Sequence, residues 1–165
     1  MARRLMVQGV TSGAGKTTLT AALCRHFRRQ GVDVAPFKAQ NVSLNSFVTS
    51  DGKEMAMSQA YQAWACGLEP SSDMNPILIK PKGNGQCQVV LRGRPWRDLG
   101  PGESTPRVIG TLREEVLEAF RDNALGREML LIEGMGSPVE MNLKEKDVSN
   151  MWLAKATRSP VLLVG

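Results

Sequence analysis

The stretch Gly9-Val10-Thr11-Ser12-Gly13-Ala14-Gly15-Lys16-Thr17-Thr18 decides the fold of this chain. Residues 5–7 before it are an apolar run typical of a strand. The apolar residues after it recur at helical spacing: Leu19, Ala22, Leu23 and Phe27. A strand, a glycine-rich turn, Gly-Lys-Thr and a helix together form the layout of a phosphate-binding loop. Backbone amides at the start of such a helix, with the helix dipole, favour a bound anion.

This loop predicts an ATP site, in which Lys16 reaches the terminal phosphates and the Thr17 hydroxyl holds Mg²⁺. The predicted ATP-binding residues are Thr11, Ser12, Gly13, Ala14, Gly15, Lys16, Thr17 and Thr18. The spacing departs from the common pattern, because Val10 stands where a glycine is usual and the glycine is Gly9. The alternative is an ordinary glycine-rich turn with a solvated Lys16.

Length and composition indicate one globular domain. The chain has 165 residues, of which 42% are hydrophobic and 22% are charged. It has no apolar run near ~20 residues and no signal-peptide core, so we expect a cytoplasmic protein with no membrane partner. Its three cysteines are an odd number without metal-like spacing, which indicates reduced thiols. The net charge of +5 favours an anionic partner, but no basic run is interleaved with aromatic residues, so nucleic acid is not expected.

A second strand is predicted at residues 32–38 and completes a strand–helix–strand unit. Such a unit implies a parallel sheet, in which ligands lie beyond the carboxyl ends of the strands. The segment that leaves this strand, residues 38–46, begins with Lys38 and is rich in amides and hydroxyls. Two interpretations are open, local turn formation and binding of a polar ligand. The second makes substrate-binding candidates of Gln40, Asn41, Ser43, Asn45 and Ser46.

An acid at the end of another apolar strand predicts a metal site. This strand covers residues 128–134 and carries Glu133 at its end. An apolar strand ending in an acid is the second signature of P-loop ATPases, although Asp is the usual residue. A carboxylate there binds Mg²⁺ directly or through water, so Thr17 and Glu133 are predicted metal ligands. Asp51 is a third candidate, with Glu54 near it, and the alternative for both is a capping or first-turn acid.

The remaining elements are predicted from periodicity and turn formers. They are a helix at 54–65, strands at 77–80 and 86–91, a loop at 92–103, a helix at 105–120, a short helix ending at 156 and a strand at 159–165. The helix at 54–65 carries Ala56, Ala60, Ala63 and Trp64 along one face, and Gln59 and Gln62 are expected to point elsewhere. Residues 137–142 are expected to form a loop over the nucleotide or the substrate.

Four motifs make the pattern more specific than a phosphate loop alone. They cover residues 9–17, 35–46, 73–81 and 132–143. In this order they resemble the amino-terminal half of the cobyric acid synthase family, and the similarity extends over essentially the whole chain. The resemblance implies an α/β fold of the P-loop NTPase type, with a mostly parallel sheet flanked by helices, as in dethiobiotin synthetase.

The resemblance also implies the ATP-dependent step of a glutamine-dependent amidotransferase in cobalamin biosynthesis. Such enzymes phosphorylate side-chain carboxylates of a corrinoid, cobyrinic acid a,c-diamide, and amidate them with ammonia from a separate glutaminase domain. ATP and Mg²⁺ are the implied cofactors. Lys16, Lys38 and Glu133 are the implied catalytic residues, since phosphoryl transfer needs positioning and charge neutralisation more than covalent chemistry.

The family continues for several hundred residues, so residues 1–165 are expected to be a single, partial ATP-binding amidoligase domain, truncated at the C-terminus. The glutaminase domain is expected to be absent, because its triad needs a histidine and His26 cannot easily serve Cys87. Other activities are open: a dethiobiotin synthetase-like or cobyrinic acid diamide synthase-like ligase, a partitioning-type ATPase switch, or a fragment that binds nucleotide without turnover. A homodimer is also left open.

Overall fold

The computed structural model of the chain describes residues 2–137 and 147–165. The strands of this described part are β1 (Arg3–Gly9), β2 (Val34–Phe37), β3 (Gln40–Val42), β4 (Ser46–Val48), β5 (Glu54–Ala56), β6 (Ile77–Gly83), β7 (Gln86–Leu91), β8 (Arg94–Leu99), β9 (Met129–Glu133) and β10 (Val161–Val164). Its helices are α1 (Lys16–Arg29), α2 (Met57–Ala65), α3 (Thr105–Gly110), α4 (Arg113–Ala124) and α5 (Met151–Ala156), with a 3-10 turn at Ser72–Met74.

The main sheet is parallel throughout and has the strand order β10-β1-β9-β2. Side chains alternate along each strand, so β9 contributes to a hydrophobic cluster on each face. Leu131 belongs to a cluster with Cys24 of α1, whereas Leu130 and Ile132 belong to another with Phe120 of α4. A parallel sheet with helices on both faces confirms the predicted α/β class.

The strand order brings the predicted site segments to one end of the main sheet. β9 lies between β1 and β2, with Val7 opposite Glu133 and Phe37 opposite Ile132. Ligands of such sheets bind at the carboxyl ends of the strands. Glu133 therefore ends its strand between the loop that leaves β1 and Lys38, which follows β2.

The second sheet has the order β3-β6-β7-β8 and is mixed. β3 pairs with β6 in parallel, and β6, β7 and β8 pair antiparallel. One prediction was wrong here, because the predicted loop at 92–103 contains β8. The polar segment at 38–46, for which no strand was predicted, contains β3. β8 is an exposed edge strand, where Pro95 is tolerated because one side of the strand needs no pairing partner.

Two predicted helices also differ from the structure. The first turn of the predicted helix at 54–65 is strand β5, which pairs with β4, and α2 begins only at Met57. The predicted helix at 105–120 is two helices that separate after Gly110, a poor helix former. Leu112 in the break belongs to the same cluster as Val116, so the apolar stripe continues across the break and conceals it.

The inward face of α1 is more polar than its apolar stripe predicts. The buried positions recur every four residues at Lys16, Thr20 and Cys24, whereas Ala22 is exposed. The helix thus turns the lysine of the phosphate loop inward. In the described part of the chain, no helix has the length and apolar character needed to cross a membrane.

Candidate nucleotide and metal site

The phosphate loop joins β1 to α1, and the loop and the first turn of α1 together carry every predicted ATP ligand from Thr11 to Thr18. α1 begins at Lys16, directly after Gly15, whose backbone is left-handed with a φ of 85°. No side chain of the described residues caps this end of the helix. The first backbone amides of α1 are therefore open to an anion, which the helix dipole favours.

Gly9 accounts for the unusual glycine spacing of the loop. A Cβ atom added at this position would lie 2.9 Å from the Ala14 Cβ and 3.0 Å from the Lys16 Cγ. The loop thus folds back against the end of β1, and only glycine leaves room for it. Val10 is exposed, so the position that usually holds glycine tolerates a side chain here.

Lys16 is a buried cation, with 4% of its surface exposed. Its ammonium donates a hydrogen bond to the Thr11 carbonyl oxygen at 2.7 Å, which closes the loop. Burial lowers the pKa of Lys16; the nearby Glu133 carboxylate opposes this shift, and repulsion from Lys38 adds to it. The site therefore holds positive charge that burial makes unfavourable and that a phosphate would stabilise.

Glu133 is the centre of a cluster of polar side chains and is 1% exposed. Its Oε1 accepts a hydrogen bond from the Thr17 hydroxyl at 2.7 Å and another from the Lys38 ammonium at 2.7 Å. The three residues come from the end of β9, the first turn of α1 and the residue after β2. The structure thus brings together the predicted metal ligands Thr17 and Glu133 and the predicted catalytic lysine Lys38.

Gln62 of α2 completes this cluster and was not predicted. Its Nε2 donates to Glu133 Oε2 at 2.6 Å and contacts the Thr17 carbonyl oxygen at 3.4 Å. The expectation that Gln59 and Gln62 point away from the buried face was wrong, since both are fully buried. The sequence did carry a signal for this contact. Gln59 and Gln62 are three residues apart on a helix whose other buried residues are alanines, and buried amides need hydrogen-bond partners.

The predicted metal ligands are not all brought together. Asp51 lies in the exposed turn between β4 and β5, where it forms an ion pair with Lys53 at 2.9 Å. The Thr49 hydroxyl and Lys53 lower the pKa of Asp51. Glu54 instead pairs with Lys80 of β6 at 2.5 Å. Across residues 2–137 and 147–165 no three acidic, cysteine or histidine side chains form a metal-binding group, so a metal here would depend on Thr17 and Glu133.

Asn41 connects the predicted substrate segment to α2. Its Nδ2 donates to the Ser58 hydroxyl and to Gln59 Oε1, each at 2.9 Å. Ser43 and Asn45 form a local turn, in which the Asn45 amide donates to the Ser43 hydroxyl at 3.0 Å. Both interpretations of this segment therefore retain support. The Ser43–Asn45 bond is a local turn, whereas Asn41 bonds residues of α2 that lie about one helical turn before Gln62.

Four of the five predicted substrate residues line two separate concavities. Ser43, Asn45 and Ser46 line an open groove of about 620 Å³ beside Tyr61. Gln40 lines a larger cavity of about 770 Å³ between the second sheet and α5.

The larger cavity reaches Ser137 and Asp147, and residues 138–146 lie outside the described part of the chain. The predicted loop at 137–142 falls almost wholly on those residues.

The chain matches the family model described as the CobQ/CobB/MinD/ParA nucleotide binding domain over residues 5–153. It is 46% identical over 168 residues to a cobyric acid synthase of Caldanaerobacter subterraneus subsp. tengcongensis, covering 100% of this chain and 32% of that protein. It is 48% identical over 165 residues to a cobyric acid synthase of Streptomyces coelicolor, covering 98% of this chain and 32% of that protein. The chain thus spans about a third of the length of the curated relatives it matches.

Proposed function

The chain belongs to the CobQ/CobB/MinD/ParA nucleotide-binding domain family, and from this premise we propose that it uses ATP and Mg²⁺ to phosphorylate side-chain carboxylates of a corrinoid. One observation carries the proposal: the buried Glu133 carboxylate bonds both the Thr17 hydroxyl and the Lys38 ammonium at 2.7 Å. An acid next to the first helical turn after a phosphate loop is the arrangement that phosphoryl transfer uses to hold Mg²⁺. The relatives named cobyric acid synthase support the corrinoid as the substrate class and a role in cobalamin biosynthesis.

The proposed reaction overcomes the low reactivity of a carboxylate. A carboxylate oxygen of the corrinoid attacks the γ-phosphorus, and ADP leaves. Ammonia then attacks the carbon of the acyl phosphate, phosphate leaves, and the proton lost by the attacking nitrogen ends on the departing phosphate as hydrogen phosphate. Each cycle converts one carboxylate to an amide and consumes one ATP and one ammonia.

The residues at the phosphate loop suit a bound triphosphate. Lys16 is desolvated, and its ammonium bonds the Thr11 carbonyl at 2.7 Å. A phosphate oxygen beside Lys16 would favour the charged form that burial disfavours. The uncapped amides at the start of α1 add neutral donors of the kind that bind phosphate in other nucleotide sites.

Thr17 and Glu133 are the residues that would hold Mg²⁺. A hydroxyl has one proton and two lone pairs, and the Thr17 proton already goes to Glu133. The lone pairs of the Thr17 oxygen are therefore available to a cation. ATP and Mg²⁺ together supply the phosphoryl group and the charge that neutralises it as it transfers. We assign to Lys38 the neutralisation of the carboxylate that becomes phosphorylated, since its ammonium lies beside Glu133 at the same end of the sheet.

The substrate and the ammonia source complete the proposal. The amide and hydroxyl side chains Gln40, Asn41, Ser43, Asn45 and Ser46 are proposed to bind the polar rim of the corrinoid. The curated relatives are about three times as long as this chain, so there is room in such proteins for a glutaminase domain that supplies ammonia.

Nucleotide binding is the first test. In isothermal titration calorimetry with ATP and Mg²⁺, Lys16→Ala should weaken binding roughly 10- to 100-fold, because a charge-assisted hydrogen bond contributes on the order of 1.5–3 kcal/mol. Lys82→Ala is the matched control, since Lys82 is an exposed lysine on β6 that pairs with Asp98. Equal losses in the two variants, or none in either, would contradict the assignment of the site.

Corrinoid binding is the second test. With a non-hydrolysable ATP analogue bound, cobyrinic acid a,c-diamide should bind, as followed by its visible absorbance. Asn45→Ala should weaken corrinoid binding and leave ATP affinity unchanged. Nucleotide-dependent dimerisation without corrinoid binding would instead support the partitioning-type switch.

A further inference from the structure

The two oxygens of the Glu133 carboxylate have different neighbours. Oε1 accepts from the Thr17 hydroxyl and the Lys38 ammonium, both groups that take part in the proposed site. Oε2 accepts from Gln62 Nε2 at 2.6 Å, a neutral donor on a different helix.

The orientation of the Gln62 amide is determined by Glu133. The opposite orientation would place its carbonyl oxygen against Oε2, and two acceptors cannot share a hydrogen bond at 2.6 Å. In the observed orientation Gln62 Oε1 is buried and has no hydrogen-bond partner among the described residues. Within the described part of the chain, Gln62 thus presents its donor to the carboxylate and leaves its acceptor unpaired, and Gln59 on the same helix likewise leaves its Nε2 unpaired.

Gln62 also joins the two elements that carry the proposed metal ligands. Its Nε2 lies 3.4 Å from the Thr17 carbonyl oxygen in the first turn of α1, and its stronger bond reaches the end of β9. The side chain is completely buried, so its position is held by the packing of α2.

We propose that Gln62 is a positioning residue of the proposed metal site, which holds Glu133 so that Oε1 faces the Thr17 hydroxyl and the cation. This inference rests on the proposed function, because it requires Glu133 to be the acid of that site. Groups that orient a metal ligand typically change metal affinity about 10- to 100-fold when they are removed. A neutral amide suits this task, since it restrains the carboxylate without cancelling the negative charge that attracts Mg²⁺.

Gln59 provides a matched control on the same helix. Gln59 is also a fully buried glutamine and lies one helical turn earlier. Its side chain accepts a hydrogen bond from Asn41 at Oε1, whereas that of Gln62 donates one to Glu133. Gln62→Met and Gln59→Met remove equivalent amides while keeping side-chain length. Packing effects on α2 should therefore appear in both variants, and effects on Glu133 only in the first.

The test compares ATP affinity with and without Mg²⁺ by calorimetry. The gain in ATP affinity caused by Mg²⁺ should fall about tenfold in Gln62→Met, with Mg²⁺-free ATP binding retained, and should stay at the wild-type value in Gln59→Met. An unchanged gain in Gln62→Met overturns the inference, and so does an equal loss in both variants. A wild-type chain without any Mg²⁺-dependent gain contradicts the proposed function as well.

A second readout needs no ligand. In the nucleotide-free chain labelled with ¹⁵N-glutamine, the side-chain amide resonances that disappear in Gln62→Met identify Gln62. Their protons should exchange slowly with solvent, and exchange should quicken in Glu133→Ala. Rapid exchange in the wild type overturns the inference whether or not the chain binds ATP.

Discussion

Three charged side chains are buried around the end of β9: Lys16, Lys38 and Glu133. Lys38 and Glu133 form an ion pair at 2.7 Å, but Lys16 bonds a carbonyl and its pKa is lowered by desolvation. A cation held without a full partner lowers the stability of the folded state. We interpret this cost as the consequence of preparing a site for an anion.

The pH dependence of unfolding should reveal this cost. The pKa of Lys16 in the folded chain lies below its usual 10.5, so between the two values the unfolded state binds more protons and stability rises with pH. In the ligand-free protein, the free energy of unfolding should therefore rise more in the wild type than in Lys16→Met between about pH 8 and about pH 10. Urea denaturation at the two pH values measures the difference.

Lys82→Met is the control for this measurement and should follow the wild type, because Lys82 is an exposed lysine paired with Asp98. A Lys16→Met variant whose stability rises as steeply as that of the wild type would show that burial of Lys16 carries no such cost.

Among single residues, the sequence singled out Lys16 and three members of the Glu133 cluster, and missed Gln62. Lys16, Thr17, Lys38 and Glu133 were recognisable because each occupies a defined position next to a glycine-rich loop or a strand end. Gln62 lies in a helix with no motif, and its partner is 71 residues away in the chain. A contact of that kind depends on packing, which local pattern does not report.

The turn between β7 and β8 forms ion pairs and a backbone hydrogen bond with elements outside the second sheet. Arg92 in this turn has a φ of 46°, and its guanidinium pairs with Asp73 at 2.9 Å and with Asp122 of α4 at 2.6 Å. Gly93 follows with a φ of 81°, and its carbonyl accepts from the Glu54 amide of β5 at 2.9 Å. The turn therefore links β5, the 3-10 turn and α4.

Gly93→Ala should destabilise the chain by about 2–4 kcal/mol. A Cβ atom there would lie 2.9 Å from the Ser72 Cβ and closer still to Lys53, and the left-handed backbone disfavours any side chain. Urea denaturation measures the loss in the free energy of unfolding.

Gly83→Ala is the control for the turn, since Gly83 has a φ of 86° with open space around it. It should cost only about 1 kcal/mol, from the backbone alone. Equal losses at the two positions would mean that the Gly93 contact with Lys53 and Ser72 has no energetic role.

At the scale of the whole molecule, β10 forms an exposed edge of the main sheet. Within the described residues it pairs only with β1, and Val161, Leu162 and Leu163 are 38%, 41% and 58% exposed. An edge strand of this kind has backbone groups free to pair with a further strand, either from the same longer protein or from another molecule. The curated relatives are about three times as long as the chain.

If residues 1–165 associate through β10, Leu163→Lys should reduce that association, because a charged side chain on an edge strand opposes strand pairing between molecules. Sedimentation velocity over a range of concentrations measures the effect. Leu125→Lys is the control, since Leu125 is 84% exposed but lies after α4, away from the edge. If the two variants associate equally, β10 is not the surface responsible.

The sequence alone determined the α/β class, the phosphate loop and the acid at the end of β9. Each of these rests on local order: apolar periodicity identifies strands and helices, and glycine, lysine and threonine at fixed spacing indicate a loop that binds phosphate. The same local rules failed at β8 and at the break between α3 and α4. There an edge position tolerates Pro95, and a continuous apolar stripe spans two helices.

The tertiary structure decided which of these residues meet. Insertion of β9 between β1 and β2 places Glu133 beside both Thr17 and Lys38, and packing of α2 adds Gln62. The tertiary structure also places Asp51 away from Thr17 and Glu133, in an exposed turn where it pairs with Lys53. Strand order and helix packing arise from burial of apolar surface over the whole chain, a non-directional force that no short motif encodes.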